Sequence, residues 1–353
     1  MEKIKECPRC LFTEDIATIG ETQCNYCDIH DQLEANANPK DLEGILDKIR
    51  TKGKNKKYDC LMGISGGLDS STLLYTAVKH WGLKPLVIHF DNHHNVPQAT
   101  HNMDELVKRL GVDEIIYRVN HKEYMNINYS FLQAGVPDAD IPNDIAMTKL
   151  MYQTAHQYKI KYILNGHDFR TEGSTPSAWT YMDAEYIRSI HMIPITNYPL
   201  FTFKDQLLSA LRGIKQVRPF HYGFDRLRME KEMKQYIGWQ DYGGKHCENV
   251  YTEYVGYKLL PEKFGIDKRR VYLSAQIRSG MINKNMAKEF LKESHPFDMD
   301  RLEDKEFIHV SSLFNIQPRS NFGKYNFKRY RVLIWLLSKM NVVPYTFYIK
   351  YCK

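Results

Sequence analysis

Nowhere in the 353 residues does an apolar run approach the ~20 residues needed to span a bilayer. The first six residues, Met1 to Glu6, are polar and charged, which argues against a signal peptide. A cytoplasmic protein is expected, and disulfides are rare in that compartment. The seven cysteines then point to metal binding or catalysis rather than to crosslinks. Charge of one sign is not in large excess either. There are 49 Lys+Arg against 42 Asp+Glu, a formal net charge of +7. That balance suits an anionic substrate and is no nucleic-acid footprint by itself. No internal repeat and no low-complexity tract interrupts the chain. The length allows one large or two medium domains, since domains run ~100–200 residues. A hydrophobic share of 43% can fill a sizeable core.

What is present begins with cysteine. Four of the seven fall as Cys7-Pro-Arg-Cys10 and Cys24-Asn-Tyr-Cys27. Each pair can wrap one side of a tetrahedral ion, and two pairs complete a four-thiolate site. Four protein ligands leave zinc no open position, so a structural role is expected. An iron–sulfur cluster also accepts four thiolates and stays open. Cys60 lies in a predicted strand and reads as a small buried hydrophobe, and Cys352 as incidental. Residues 1–35 form the expected cysteine element. Residues 36–57 hold an amphipathic helix (Leu42, Ile45, Leu46, Ile49) and a basic run from Lys52 to Lys57.

From Tyr58 apolar strands and helical patterns alternate. Strands are expected at 58–64, 85–91, 114–119 and 161–165, with a helix over 141–158 capped by Asn143. Such alternation implies an α/β fold with a parallel sheet covered by helices on both faces. Ligands bind such sheets at the C-terminal strand ends, near the switch in strand order. Ser65-Gly66-Gly67-Leu68-Asp69-Ser70, Asp91 and Gly166-His167-Asp168 all fall at those ends. The first is a Gly-rich turn between a strand and a helix, where free backbone N–H groups and the helix dipole favour phosphate. No Gly-Lys-Ser/Thr follows, so this is not the P-loop pattern. A second functional ring is expected at Asp91, with a turn-capping Asp equally expected. Residues 58–213 are assigned to this domain and 214–353 to a mostly helical region.

Ser65–Ser70 resembles the S-G-G-x-D-S signature of the PP-loop ATP pyrophosphatase superfamily. The resemblance implies ATP split at its α-phosphorus. Gly66 and Gly67 would supply backbone donors, Ser65 and Ser70 hydroxyls, and Asp69 a carboxylate near Mg2+. It also implies His89 and Phe90 beside adenine, Gly166 close to ATP, and Asp168 as a further Mg2+ ligand. His167 reads equally as a structural histidine.

The whole chain is similar to the N-acetyl sugar amidotransferase family of surface-glycan biosynthesis. The residues that carry this are the cysteine pairs, the loop, Tyr242-Gly-Gly-Lys-His-Cys-Glu248 and Lys263-Phe-Gly-Ile-Asp-Lys-Arg-Arg270. The family usually has another polar residue where this chain has Cys247. The implied reaction turns an acetamido group of a sugar into an acetamidino group. Lys245, Lys268, Arg269, Arg270 and Arg278 are candidates for the phosphates, with a solvated basic turn the plain reading of 268–270. His246 or Glu248 would handle the ammonia proton. No cysteine stands at the start and no Gly-x-Cys-x-Gly elbow occurs, so ammonia is expected from a separate glutaminase subunit. No stable nucleic acid is expected. The tail, Phe327 to Tyr351, suits a core helix with a basic outer face, with docking of the glutaminase or contact with a membrane as the other readings. The competing readings are a PP-loop tRNA thiolase and a non-catalytic nucleotide-binding scaffold. The thiolase would need a cysteine beside the ATP domain, and Cys60 and Cys247 form no pair.

Overall fold

The structure, a computed structural model, describes residues 4–174, 184–223, 225–302 and 328–340, together with Tyr348 and Cys352. Two helices come first: α1 (Asn25–Ala35) and α2 (Pro39–Gly53). Then β1 (Cys60–Gly63), α3 (Leu68–Lys79), β2 (Pro85–Asp91), α4 (Pro97–Leu110) and β3 (Asp113–Arg118) alternate. Next come α5 (His121–Ala134), α6 (Ile141–Gln157), β4 (Tyr162–Leu164), α7 (Ala184–Ile190), α8 (Phe203–Leu211) and β5 (Lys215–Val217). The later region is helical: α9 (Arg226–Ile237), α10 (Val250–Tyr254), α11 (Leu260–Phe264), α12 (Arg269–Arg278) and α13 (Lys284–Lys292). A last described helix spans Arg331–Lys339.

The five strands are all parallel, in the order β3-β2-β1-β4-β5. Strand side chains alternate between faces, and both faces are covered. Cys60, Met62 and Val87 join a core with Leu46 and Ile49 of α2, Leu73 and Leu74 of α3, and Leu106 of α4. Leu61, Leu86, Ile88 and Ile163 point the other way, against Leu150 and Ala155 of α6. Truncating one of these large aliphatics to alanine costs about 2–5 kcal/mol, because the close-packed surroundings collapse only in part.

The strand order reverses between β1 and β4, which open in opposite directions from the centre. The loops that leave these two strands therefore diverge and leave a crevice, where ligands of open α/β sheets bind. Ser65–Ser70 follows β1 and Gly166–Asp168 follows β4, so both line that crevice.

Two sequence expectations need correction here. The helix over 141–158 is present as α6, but its N-cap is Asp140, not Asn143. Asn143 lies inside the first turn, buried, where it donates to Asp140 Oδ1 (2.7 Å) and accepts from Asn92 (3.3 Å). The short strand β5 and the helix α5 had no strong periodic signal and were not anticipated.

The helical region is stitched to the sheet domain. Asn95 and Asn249 form an antiparallel bridge, with Val96 N–H donating to Glu248 O (3.0 Å) and Val250 N–H to His94 O (2.8 Å). This pairing carries the segment after Gly243 directly over the C-terminal edge of the sheet.

Candidate functional site

The loop after β1 is shaped by close approach. Gly66 has φ +71°, and a Cβ there would lie 2.0 Å from Ala99 O, so no side chain fits. A Cβ at Gly67 would meet Glu248 Oε1 at 2.8 Å. Gly166, after β4, leaves only 3.0 Å between its own hypothetical Cβ and Asp69 O. The two strand-end loops and the 242–248 segment are thus in mutual contact.

The loop donors are satisfied by nearby hydroxyls. Ser65 Oγ accepts from Gly67 N–H (3.2 Å), and Ser70 Oγ from Ser65 N–H (3.3 Å). Tyr242 OH accepts from Leu68 N–H (3.0 Å) at the start of α3. These contacts sit at a helix N-terminus, where an anion can replace hydroxyl acceptors at little cost.

A compact network of charges surrounds the loop. Asp69 pairs with Arg226 and with Lys245 (3.0 Å). Arg226 also reaches Asp168 Oδ2 (3.4 Å), and Lys245 reaches Glu172 Oε1 (3.4 Å). His167 Nε2 lies 3.7 Å from Glu172 Oε2, and His167 faces His221 at 3.3 Å. Asp168 and Glu172 are both held above the ordinary carboxylate range by burial. Burial also pushes Lys245 down, against the charge of Glu172. Burial lowers His167 to about 4 and His221 to about 3, so both are neutral near pH 7. His246 falls to about 3 for the same reason and is held in a left-handed turn at φ +63°. Two buried polar atoms in this network, Arg226 Nε and Glu248 Oε2, have no hydrogen-bond partner among the described residues. Native structures leave few such atoms, and here both border the crevice.

The structure thus brings together Ser65, Gly66, Gly67, Asp69, Ser70, Gly166, Asp168, Lys245 and Glu248. Other candidates lie in different settings. His89 is buried, donating from Nδ1 to Ile64 O (2.9 Å) with Nε2 facing Asn95 Nδ2 (2.9 Å). It clamps the end of β1 to β2. Phe90 stacks on Tyr117. Asp91 accepts from His93 N–H (3.0 Å) and pairs with Arg118 (3.3 Å), which is the turn-capping reading. Arg269 is paired with Asp267, and Arg270 donates to Leu11 O (3.3 Å). Lys268 exerts its charge on Asp140 and Asp144, and burial lifts Asp144 to about 7.

Arg278 is not at the loop. Its guanidinium lies on the cysteine cluster, 3.2 Å from Cys10 Sγ and 3.4 Å from Cys27 Sγ. The four thiols are all buried, with Sγ–Sγ distances of 3.7 Å (Cys10–Cys24 and Cys24–Cys27) and 3.9 Å (Cys7–Cys27). Metal–sulfur bonds of about 2.3 Å in a tetrahedron require edges of about 3.8 Å. The thiols therefore already have the spacing of a single four-thiolate metal ion. Four thiolates around a divalent ion carry net negative charge, which Arg278 is placed to offset. The element is tied to the crevice by Arg170, which pairs with Glu34 of α1 through two bonds of 2.6 Å. The same residue donates its N–H to Asp168 Oδ1 (3.0 Å).

Sequence reasoning missed Arg226 and Glu172, and named Tyr242 only as the first residue of the 242–248 motif. Arg226 opens α9, far along the chain, and nothing local in the sequence distinguishes it from an ordinary surface arginine, although it is largely buried. Glu172 had a weak signal, four residues beyond Asp168 at a strand end. Of the Phe327–Tyr351 tail, part lies outside the described residues. In the described helix Ile334 is buried while Val332, Leu333 and Trp335 are exposed. Among the described residues no helix is long and apolar enough to cross a membrane.

The sheet is open and parallel, and Ser-Gly-Gly-Leu-Asp-Ser leaves its central strand into a helix, the α/β setting expected for the loop signature it resembles. Residues 248–334 match the family model described as LPS biosynthesis protein WbpG-like, C-terminal domain. That match agrees with the surface-glycan part of the resemblance drawn from the sequence. Among curated proteins, the chain is 21% identical over 259 residues to the uncharacterized protein MJ1599 of Methanocaldococcus jannaschii, covering 72% of this chain and 79% of that one. Among solved structures, NMN synthetase from Francisella tularensis aligns with TM-score 0.37 at 13% identity, over 80% of this chain and 97% of that chain. The U34-tRNA thiolase NcsA from Methanococcus maripaludis, with its [4Fe-4S] cluster, aligns with TM-score 0.35 at 14% identity, over 90% and 99%. The NH3-dependent NAD synthetase from Campylobacter jejuni subsp. jejuni aligns with TM-score 0.33 at 14% identity, over 77% and 90%.

Proposed function

We propose that the chain is an ATP-dependent amidotransferase that converts the acetamido group of a sugar to an acetamidino group, in surface-glycan biosynthesis. The observation that carries this is the meeting of two segments 176 residues apart: Lys245 on Asp69 and Glu248 against Gly67. The segment that distinguishes this family from other PP-loop enzymes is thereby in contact with the loop that takes ATP.

In this reading the amide oxygen attacks the α-phosphorus of ATP. An O–P bond forms, pyrophosphate leaves, and the product is an adenylated imidate. Ammonia then adds to the imidate carbon, loses a proton, and AMP leaves with the former amide oxygen. The amide oxygen is a weak nucleophile, so the first step rests on positioning and on neutralising charge that grows on the phosphates. Arg226 and Lys245, now paired with Asp69, are the cations available to pyrophosphate. The N–H groups of Gly67 and Leu68 pass from Ser65 and Tyr242 hydroxyls to phosphate oxygens. Glu248, held up by burial, takes the ammonia proton.

Asp69 and Asp168 meet at the same guanidinium and are hard oxygen donors, a fit for Mg2+. A magnesium ion there would supply electrostatic stabilisation of the leaving pyrophosphate. The four-cysteine site fits Zn2+ in a structural role, and Cys7, Cys10, Cys24 and Cys27 would hold it. Ammonia is supplied by a separate glutaminase subunit. The thiolase alternative gains nothing from the cysteines: Cys60 is inside the sheet and Cys247 faces His295.

The test is incubation with ATP, ammonium and acetamido sugars, scored for pyrophosphate and by mass spectrometry. Replacing O with NH lowers the acceptor mass by about one unit and adds a basic group. Pyrophosphate release with no such shift on any acetamido sugar rejects the assignment. Glutamine alone should not substitute for ammonium.

A further inference from the structure

Cys247, Glu253 and His295 come from three places: the turn after Gly-Gly-Lys-His, helix α10, and the loop beyond α13. Their ligand atoms all lie within 4.8 Å of one another. His295 Nε2 is 4.0 Å from Cys247 Sγ and 3.1 Å from Glu253 Oε1. One ring nitrogen carries either one proton or one lone pair, so it can serve only one of those two groups. Both nevertheless converge on it, and both are nine-tenths buried or more. Beyond this nitrogen, the thiol's one hydrogen-bond contact among the described residues is a long one to Lys245 O, at 3.7 Å.

We propose that Cys247, Glu253 and His295 form a second metal site, for zinc or a similar first-row divalent ion, with three protein ligands and one open position. A thiolate, an imidazole and a carboxylate are the donor set that zinc accepts. Bonds of about 2.0–2.3 Å place neighbouring ligand atoms about 3.3–3.8 Å apart, so groups whose ligand atoms already lie within 4.8 Å need to close by about 1 to 1.5 Å at most.

The surroundings are those of a held ligand set. Arg301 pairs with both oxygens of Glu253 at 2.9 Å, fixing the carboxylate while leaving each oxygen a free lone pair. Tyr257 stacks on the His295 ring, centroids 3.9 Å apart, and donates to Lys245 O at 3.0 Å. Such outer contacts orient the ligands of a metal. The site's place in the chain suggests its use. Gly243 (φ +97°), Gly244 (φ +146°) and His246 (φ +63°) make a left-handed turn around Lys245. An ion on Cys247 pins that turn, and so fixes Lys245 on Asp69 and Glu248 on the loop. The site does not depend on the reaction assigned above.

The test is metal content of the full chain, after equilibration with zinc and removal of loose ions, with iron measured in parallel. The expected result is two metal equivalents in the native chain, one at each site. Cys247→Ala and His295→Ala should each lose one equivalent and keep the other. Cys247→His, which restores a ligand, should keep both, separating ligand loss from misfolding. With cobalt in place of zinc, the native chain should show one set of visible bands that survives Cys247→Ala and another that does not. Arg301→Gln should weaken the second equivalent about 10–100-fold. A single equivalent in the native chain, or two in Cys247→Ala, overturns the proposal.

Discussion

Replacing Lys245 with methionine isolates the charge that holds the crevice together. The substitution keeps the aliphatic stem and removes one cation that faces Asp69 at 3.0 Å and Glu172 at 3.4 Å. At an effective dielectric of about 20, each such pair has a gross attraction of about 5 kcal/mol. Desolvation and partial solvent access offset most of that, since both ends of the Asp69 pair are about a quarter exposed. Asp69 retains Arg226, whereas Glu172 loses its cation. A net cost of about 1–3 kcal/mol at pH 7.5 is expected. Its pH dependence follows from the sign of the Glu172 shift. Burial raises that carboxyl above its ordinary value, so its ionisation costs stability as pH rises through the folded value. Without Lys245 the folded value climbs further and the cost at neutral pH grows. Lowering the pH moves Glu172 towards its protonated form and should narrow the gap between variant and native chain. Thermal unfolding of both proteins from pH 5 to 8 measures this. Pyrophosphate release should fall about 10²–10³-fold, the scale of losing one donor to developing charge. Equal unfolding at pH 7.5, or a gap that does not shrink on acidification, refutes the reasoning.

Gly66→Ala should cost more than the ~1–2 kcal/mol of a left-handed alanine, because the new Cβ meets Ala99 O. Urea unfolding tests it, and a loss under 1 kcal/mol would mean the loop is less constrained than described. His167, lowered to about 4, and His221, lowered to about 3, stay neutral in the folded chain while unfolded histidine protonates near pH 6.5. Their contribution is present above pH 6.5 and drains away as pH falls towards 4. The paired substitution His167→Gln, His221→Gln should flatten that part of the stability profile, and an unchanged slope argues against it. Arg278→Gln should weaken metal retention by the four cysteines about 10–100-fold in chelator competition, with little change if the guanidinium is incidental.

How much of this was legible beforehand differs by element. Ser65–Ser70 could be read because an anion site of this kind is local: strand, glycines, hydroxyls and helix N-terminus are consecutive. The cysteine pairs could be read because ligand spacing is also local. Arg278 was misread as a phosphate ligand because a lone arginine at the end of a helix carries no label of what it faces. Asp91 stood between two uses until His93 and Arg118 were seen to occupy it. Arg226 was invisible and Glu172 only weakly marked, since they come together only where α9 and the β4 loop meet.

Local sequence was enough for the alternating α/β pattern, the loop and the four-thiolate spacing, because each depends on neighbours within a few bonds or turns. The tertiary structure decided which cations face the loop, that Arg278 belongs to the cysteines, and that Cys247 lies with Glu253 and His295. Those are long-range facts. They follow from the reversal of strand order between β1 and β4 and from the bridge at Asn95 and Asn249, which fold residues 242–248 over the crevice.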